Sequence, residues 1–190
     1  KDMTIPFEQK KELMSEWYKK INDLIISEQF TSETLGKILA DVDIGIRYHF
    51  KSFYYKLTSL GIPFYIISGG IADYVSTVLE NYCNFHSIPA NHIFSNAFVF
   101  DEDGVMIDMK KEINTTTKKT ILRDKNMPYR RNSIVLGDLP GDTSMAQNIY
   151  ALSVINIGFL HDVSELISYK SLFDVVIEGE GDFILADIFA

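Results

Sequence analysis

The chain has 190 residues, 46% of them hydrophobic and 23% charged, and a formal net charge of −8 at pH 7. This composition excludes a disordered protein and allows one domain carrying a small insertion. The acidic balance argues against a nucleic-acid polymer as partner, because phosphate backbones are bound by basic surfaces. A single cysteine, Cys83, excludes an internal disulfide, and no apolar run reaches membrane-span length. We therefore expect a cytoplasmic protein without membrane contact, and the sequence indicates no protein partner.

The first third of the chain is predicted to be helical. Apolar residues recur at spacings of three and four from about Phe7 to Ser27, and Thr31 offers a cap for a second helix. A third helix is predicted from about Ile46 to Gly61. We expect one face of this third helix to lie in the core; its members are Phe50, Phe53, Tyr54, Leu57 and Leu60.

From Gly61 onward, apolar runs alternate with helical patterns, which is typical of right-handed βαβ units and a mostly parallel sheet. A buried strand is predicted at Ile62–Ile67, and a small β excursion is predicted near 93–110. Further strands are predicted at 133–137, 153–157 and 173–177, and a final helix near 181–189. The predicted fold class is therefore α/β.

An acidic turn follows the predicted strand at 133–137. Asp138 comes directly after Gly137, and Asp142 follows four residues later, where a helical pattern begins. Two carboxylates in one turn repel each other unless a cation lies between them, and hard oxygen ligands suit Mg²⁺. The alternative is an ordinary strand–loop–helix connection, because Asp is favoured at helix starts.

Two other segments carry groups that could bind an anion. Ser68, Gly69 and Gly70 lie between a predicted strand and a helix, where a hydroxyl and backbone N–H groups can hold phosphate. Lys118 and Lys119 lie at the start of a short predicted helix. The simpler interpretations remain open: a structural turn for the glycines and solvated surface side chains for the lysines.

Taken in chain order, the serine, the lysine and the acidic turn resemble motifs two to four of the haloacid dehalogenase-like phosphohydrolases. The wider sequence resembles the cytosolic 5′-nucleotidase III (pyrimidine 5′-nucleotidase) family, over nearly the whole chain. The segments that carry this resemblance are Glu16-Trp17-Tyr18, 62–70, Ser95-Asn96, Phe98, 100–105, 134–138, Gly141-Asp142, Met145-Ala146, 157–160 and 173–176.

The resemblance implies a Rossmann-like parallel sheet core at 46–190 and a helical cap segment at 1–45. It also implies a Mg²⁺-dependent 5′-nucleotidase that hydrolyses UMP or CMP through an aspartyl-phosphate. Carried over by position, Asp138 and Asp142 would bind the metal, and Lys119 would offset phosphoryl charge. Lys119 is preferred to Lys118 because it keeps the family's offset from Glu112. Ser68 and Gly69 would hold phosphate oxygens, and Tyr18 would stack on the nucleobase.

Three positions depart from the family, and one motif is missing. Ile21 and Asn22 stand where relatives carry a serine and a histidine near the base, and Gly69 replaces an alanine. The family's Asp-x-Asp-x-Thr nucleophile motif does not occur in the 190 residues. We therefore expect a longer protein with this motif upstream, and this chain alone to be inactive. The alternatives are a non-catalytic form that binds nucleotide or a partner, and a phosphatase of another small metabolite.

Overall fold

The computed structural model describes residues 6–41, 43–83, 88–110, 113–114, 117–122, 130–146, 151–179 and 182–183. Helices and strands follow one another in the α/β alternation that the sequence predicts, and short 3₁₀ helices lie at Ala90–His92, Pro140–Ala146 and Val163–Glu165. The order is α1 (Phe7–Ser27), α2 (Ser32–Ala40), α3 (Phe50–Ser59), β1 (Ile66–Ile71), α4 (Ala72–Cys83), β2 (Ile93–Phe100), β3 (Met106–Lys110), α5 (Lys118–Ile121), β4 (Asn132–Gly137), β5 (Ser153–Leu160), α6 (Leu166–Leu172) and β6 (Val175–Glu178).

The three opening helices have the predicted order, with one corrected boundary. Thr31 caps α2, since its hydroxyl accepts the N–H of Thr34 at 3.1 Å. The prediction that the third helix starts at about Ile46 is wrong, because α3 starts at Phe50. The residue before it, His49, has a φ of 60° in the left-handed region, which interrupts a right-handed helix.

One three-stranded sheet has the order β1-β2-β3. β1 and β2 are parallel, and β3 is antiparallel to β2. The segment near 93–110 therefore supplies one parallel and one antiparallel strand. The predicted strand at Ile62–Ile67 is placed too early, since β1 begins at Ile66. Pro63 has no N–H for a strand ladder, and the Phe64 carbonyl accepts a hydrogen bond from the His92 ring at 3.1 Å instead.

The other sheet has the order β4-β5-β6 and is entirely parallel, with Leu136 opposite Ile157 and Ile157 opposite Val175. The helix predicted after Asp138 is a 3₁₀ helix over the described part, Pro140–Ala146. Thr143 and Ser144 bond back to carbonyls three residues earlier, which favours the tighter turn. The rest of the helix predicted after Asp138, and nearly all of the final predicted helix, lie outside the described residues.

A single apolar cluster joins the two sheets. Ile66 of β1 and Leu136 of β4 both pack against it, and α3 supplies three of its aromatic side chains. Leu60, predicted to lie on the buried face of that helix, is instead 60% exposed just beyond the helix end. Among the described residues, no helix is long and apolar enough to cross a membrane. The buried members of the cluster are Phe50, Phe53, Tyr54, Leu79, Ile88, Phe159 and Phe183.

Two glycines lie opposite each other at the carboxyl ends of β4 and β5, Gly137 and Gly158. A Cβ at Gly158 would lie 2.7 Å from the Phe173 ring, and a Cβ at Gly137 would lie 2.4 Å from the Asp142 side chain. Both distances are too short for real contacts. The two glycines therefore let a ring and a carboxylate pack directly against the ends of the strands.

We expect Gly158→Ala to lower the free energy of unfolding by about 1–3 kcal/mol, because the new methyl group must displace Phe173. Urea unfolding followed by circular dichroism would measure this. Gly36→Ala is the matched control: nothing lies within 4 Å of a Cβ at Gly36. As a helix-interior position it should gain about 1 kcal/mol. Equal stability of both variants would contradict the packing described for Phe173.

Candidate active site

The acidic turn after β4 is organised by the side chain of Asp142. Its Oδ2 atom accepts the backbone N–H of Asp138 at 3.1 Å and that of Leu139 at 3.0 Å. Gly137 makes this possible, since any side chain there would collide with the Asp142 carboxylate. The Asp142 carboxylate thus closes the turn by accepting the first two N–H groups that follow β4.

A lysine from α5 completes the environment of this carboxylate. The Lys118 Nζ atom lies 2.6 Å from Asp142 Oδ1, and the two side chains are only 12% and 4% exposed. Sequence reasoning preferred Lys119 as the lysine of the site. The structure shows the ion pair with Asp142 at Lys118, and the role expected of Lys119 stays a prediction.

Asp138 has the opposite environment. Its backbone is bound within the turn, but the residue as a whole is exposed at the carboxyl end of β4. Asp142 already receives three protein donors on its two oxygens, so little of its capacity to accept remains. Of the two predicted metal ligands, Asp138 is therefore the one with a carboxylate open to a cation.

The predicted phosphate-binding segment lies next to the predicted base-binding residue. An ideal Cβ on Gly69 would be 3.7 Å from the Tyr18 hydroxyl, which is ordinary contact distance. The structure thus brings Tyr18 of α1 against Gly69. The prediction that Ser68–Gly70 lies between a strand and a helix is wrong, because these residues lie inside β1. Ser68 Oγ accepts the N–H of Gly70 at 3.0 Å and keeps its own hydroxyl hydrogen to donate. Burial raises the pKa of the Tyr18 phenol above its ordinary value.

Asn96 fixes the position of this segment, a role that the sequence analysis did not identify. The residue is 1% exposed, and its amide nitrogen donates to the carbonyls of Gly69 and Ile113, each at 2.9 Å. Its amide oxygen accepts the N–H of Ile113 at 3.0 Å. One side chain thus links the Ser68–Gly70 segment to the backbone that precedes α5. An asparagine within a largely apolar strand is the signal that could have found it.

From Ile113 the connection continues to the lysine. Asn114 and Thr117 bond to each other through side chains and backbone, and the Lys118 N–H donates to the Asn114 carbonyl at 3.2 Å. Lys118 then contacts Asp142, which holds Asp138. The predicted phosphate-binding segment and the acidic turn are therefore joined by one chain of hydrogen bonds through β2 and α5.

Of the two α1 positions expected near the base, Ile21 and Asn22, only Asn22 is buried. Asn22, one helical turn from Tyr18, is 8% exposed, and its amide nitrogen lies 3.4 Å from Asp108 Oδ1. Its amide oxygen has no hydrogen-bond partner in the described part of the chain. Glu112, which set the lysine assignment in the sequence analysis, lies outside the described residues, as does the side chain of Cys83.

A model of the pyrimidine 5′-nucleotidase (UMPH-1) family matches residues 1–187, nearly the entire chain. The chain belongs to this family. The resemblance expected from the motifs is confirmed by that match.

Individual relatives agree with this assignment. The chain is 30% identical over 179 residues to 7-methylguanosine phosphate-specific 5′-nucleotidase B of Xenopus laevis, covering 90% of this chain and 61% of the relative. The crystal structure of cytosolic 5′-nucleotidase IIIB bound to cytidine is similar at a TM-score of 0.80 and 26% identity, covering 98% of this chain and 65% of that one. The chain thus spans about three fifths of the length of the curated relatives it matches.

A third likeness concerns the fold alone. A phosphoserine phosphohydrolase-like protein from Francisella tularensis matches at a TM-score of 0.61 and 19% identity, covering 84% of this chain and 71% of that one. With cytosolic 5′-nucleotidase IIIB, it confirms the predicted fold class, a haloacid dehalogenase-like α/β fold with parallel sheets. The boundary predicted at residue 45 between cap and core stays a prediction.

We expect Asp142→Asn to destabilise the complete protein by about 3 kcal/mol, because the ammonium of Lys118 loses its buried counter-charge. Asp138→Asn is the matched control and should change stability by about 0.5 kcal/mol or less, since that side chain is exposed. Thermal and urea unfolding would measure both. The double variant Lys118→Met with Asp142→Asn should recover part of the loss. Equal effects of the two asparagine substitutions would contradict the assigned environments.

We expect Asn96→Ala to lower the free energy of unfolding by about 3 kcal/mol, because two carbonyls and one N–H lose buried partners. Urea unfolding would measure the change. Thr34→Ala, on exposed α2, is a control that removes a polar group without burial and should cost less than about 0.5 kcal/mol. A loss at Asn96 as small as the control's would show that water replaces the amide without cost.

Proposed function

We propose that the complete protein is a Mg²⁺-dependent 5′-nucleotidase that hydrolyses nucleoside 5′-monophosphates. The observation that carries this proposal is the open carboxylate of Asp138 beside the buried Lys118–Asp142 pair at the end of β4. In an open α/β sheet, ligands bind outside the carboxyl ends of the strands, where this turn lies. Membership of the pyrimidine 5′-nucleotidase family supports the same reaction.

The donor types at the turn fit Mg²⁺, which prefers carboxylate oxygens. Asp138 would hold the cation directly. Asp142 would act indirectly, because its carboxylate fixes the turn and pairs with Lys118. Among the described residues, no group of three or more His, Cys, Asp or Glu side chains could hold a metal. The remaining ligands would therefore come from other residues, water and substrate. When bound, Mg²⁺ would offset the negative charge of the phosphate.

The phosphate would be held by this chain's own groups. The Ser68 hydroxyl has a hydrogen to donate, and the backbone N–H of Gly69 would hold a phosphate oxygen beside it. A lysine of α5 would add positive charge near the transferred group. The sequence resemblance assigns this to Lys119, whereas the structure shows Lys118 in contact with Asp142.

The attacking group would come from outside this chain. In the proposed reaction, an aspartate oxygen bonds to phosphorus while the bond from phosphorus to the 5′-oxygen breaks, and a second aspartate protonates that oxygen. Water then hydrolyses the acyl phosphate, which releases inorganic phosphate and restores the carboxylate. Both aspartates belong to the Asp-x-Asp-x-Thr motif, which is not present in the 190 residues.

The sheet arrangement supports a missing strand that carries this motif. Within the described part of the chain, β1 and β4 each pair on one side only, and each forms the edge of a three-stranded sheet. Both edges pack against the same apolar cluster, through Ile66 and Leu136. An upstream strand that pairs with one or both edges would bring its carboxyl end next to Asp138 and Ser68.

The nucleobase would lie against Tyr18, which α1 holds beside Gly69. Two base classes are proposed by likeness: pyrimidines, from the family and from the cytidine bound to cytosolic 5′-nucleotidase IIIB, and 7-methylguanine, from the Xenopus laevis relative. Asn22 lies one turn away, and its amide oxygen has no partner among the residues that the structure describes. It would offer an acceptor to a base N–H group. The likeness of the chain to cytosolic 5′-nucleotidase IIIB also supports a cytoplasmic location for the protein.

We expect the complete protein to release phosphate from UMP, CMP or 7-methylguanosine monophosphate only with Mg²⁺, and much faster than from phosphoserine. Asp138→Asn should lower kcat at least about 100-fold, because the cation loses its direct ligand. Malachite green detection of phosphate would measure both. Gly36→Ala in α2, where nothing lies within 4 Å of a Cβ, is the control and should keep activity.

Three outcomes would change this conclusion. Full activity of Asp138→Asn would show that the metal site lies elsewhere. Nucleotide binding without any hydrolysis would favour the second candidate, a non-catalytic form, whose supporting observation is the absence of the nucleophile motif from the sequence. Equal rates on phosphoserine and nucleotides would favour a phosphatase of another small metabolite.

A further inference from the structure

The peptide group between Asp138 and Leu139 is held at both of its polar ends. The Tyr169 hydroxyl donates to the Asp138 carbonyl, and the Leu139 N–H donates to Asp142 Oδ2 at 3.0 Å. The preceding N–H, that of Asp138, donates to the same carboxylate oxygen. The backbone on both sides of Asp138 is thereby fixed, and its exposed side chain keeps only its own rotations.

The hydroxyl of Tyr169 is itself placed by packing. Tyr169 is 2% exposed and stacks on Phe173, with ring centroids 5.2 Å apart and an interplanar angle of 27°. Phe173 lies against Gly158, where no side chain intervenes. Leu160 of β5 joins the two rings in one buried cluster. The phenol is therefore directed at the acidic turn from α6, independently of the contacts made by Asp142.

We propose that Tyr169 is a positioning residue that orients Asp138 for cation binding. The proposal rests on the proposed function, in which Asp138 binds Mg²⁺ directly. Tyr169 touches neither substrate nor cation; it acts by fixing the carbonyl of the residue whose carboxylate binds. Groups in this position typically change metal affinity because they set the orientation of the ligand before the metal arrives.

A purely structural role is the competing explanation. A buried hydroxyl needs an acceptor, and the Asp138 carbonyl could serve that need without any effect on the site. The two explanations predict different consequences of removing the hydroxyl alone. A structural role changes stability and leaves the turn and its affinity unchanged, whereas a positioning role loosens the Asp138–Leu139 peptide and weakens cation binding.

The first test needs no metal. In the metal-free complete protein, Tyr169→Phe keeps the stack on Phe173 and removes only the hydroxyl. We expect amide hydrogen exchange of the Leu139 N–H to accelerate about five- to tenfold, as for loss of one ordinary hydrogen bond. The control is Tyr54→Phe, which removes a hydroxyl from a buried tyrosine in α3 and should leave Leu139 exchange unchanged.

The second test measures Mg²⁺ affinity by isothermal titration calorimetry, with Mg²⁺ alone as the probe. We expect Tyr169→Phe to weaken binding about tenfold. In an Asp138→Asn background, the same substitution should change the remaining affinity less than twofold, because the group that Tyr169 orients has already lost its charge. Tyr54→Phe should bind Mg²⁺ as the unchanged protein does.

Unchanged Leu139 exchange in Tyr169→Phe would overturn the proposal, and so would wild-type Mg²⁺ affinity in a protein that binds Mg²⁺. An equal loss of affinity with and without Asp138 would also overturn it, since the effect would not pass through that residue. If the unchanged protein binds no Mg²⁺, the proposed function fails instead. The exchange result then still decides whether Tyr169 holds the turn.

Discussion

The buried carboxylate of Asp142 is the interaction on which the candidate site depends. It binds the Lys118 ammonium through one oxygen and two successive backbone N–H groups through the other, while almost fully removed from water. A buried carboxylate is costly unless it is paired and hydrogen-bonded, and here both conditions are met. Because its partners come from α5 and from the turn after β4, the carboxylate holds together two segments that are distant in sequence. Glycine at position 137 allows the Asp142 carboxylate to lie there, since a Cβ would occupy the same space.

The order of the chemical groups could be predicted from the sequence, but their contacts could not. Ser68, Asp138 and Asp142 follow strand-like runs, and a pattern of strand, polar turn and helix is local information. The choice between Lys118 and Lys119 is different, because neighbouring residues of a helix point about 100° apart and only tertiary packing decides which one faces the turn. Asn96 was missed for a similar reason. Its value lies in bonds to Gly69 and Ile113, and nothing in the strand around it indicates partners 27 and 17 residues away.

The predicted starts of β1 and α3 are wrong because single residues interrupt the apolar spacing on which the predictions rest. The apolar run at Ile62–Ile67 has the composition of a strand, but Pro63 has no N–H and Phe64 gives its carbonyl to His92, so pairing starts only at Ile66. The third helix is predicted from about Ile46 because the apolar spacing continues there. In the structure, the left-handed φ of His49 interrupts the helix before Phe50. The predicted core face was correct for Phe50, Phe53 and Tyr54, which are all buried. Periodicity therefore identifies which face is buried more reliably than it locates the ends of an element.

The electrostatics of the site favour a bound cation over the protein's own charges as the partner of a phosphate. The chain carries a net charge of −8, and the ammonium of Lys118 is already neutralised by Asp142 at 2.6 Å. A phosphate that approached Asp138 would meet an exposed carboxylate of its own sign, and two such groups a few ångströms apart repel strongly outside bulk water. A divalent cation held by Asp138, as in the proposed function, would reverse the sign of that interaction. In the proposed function, Asp138 would face both a cation and an anionic substrate. The restraint of its backbone from two directions would then orient its carboxylate before either of them arrives.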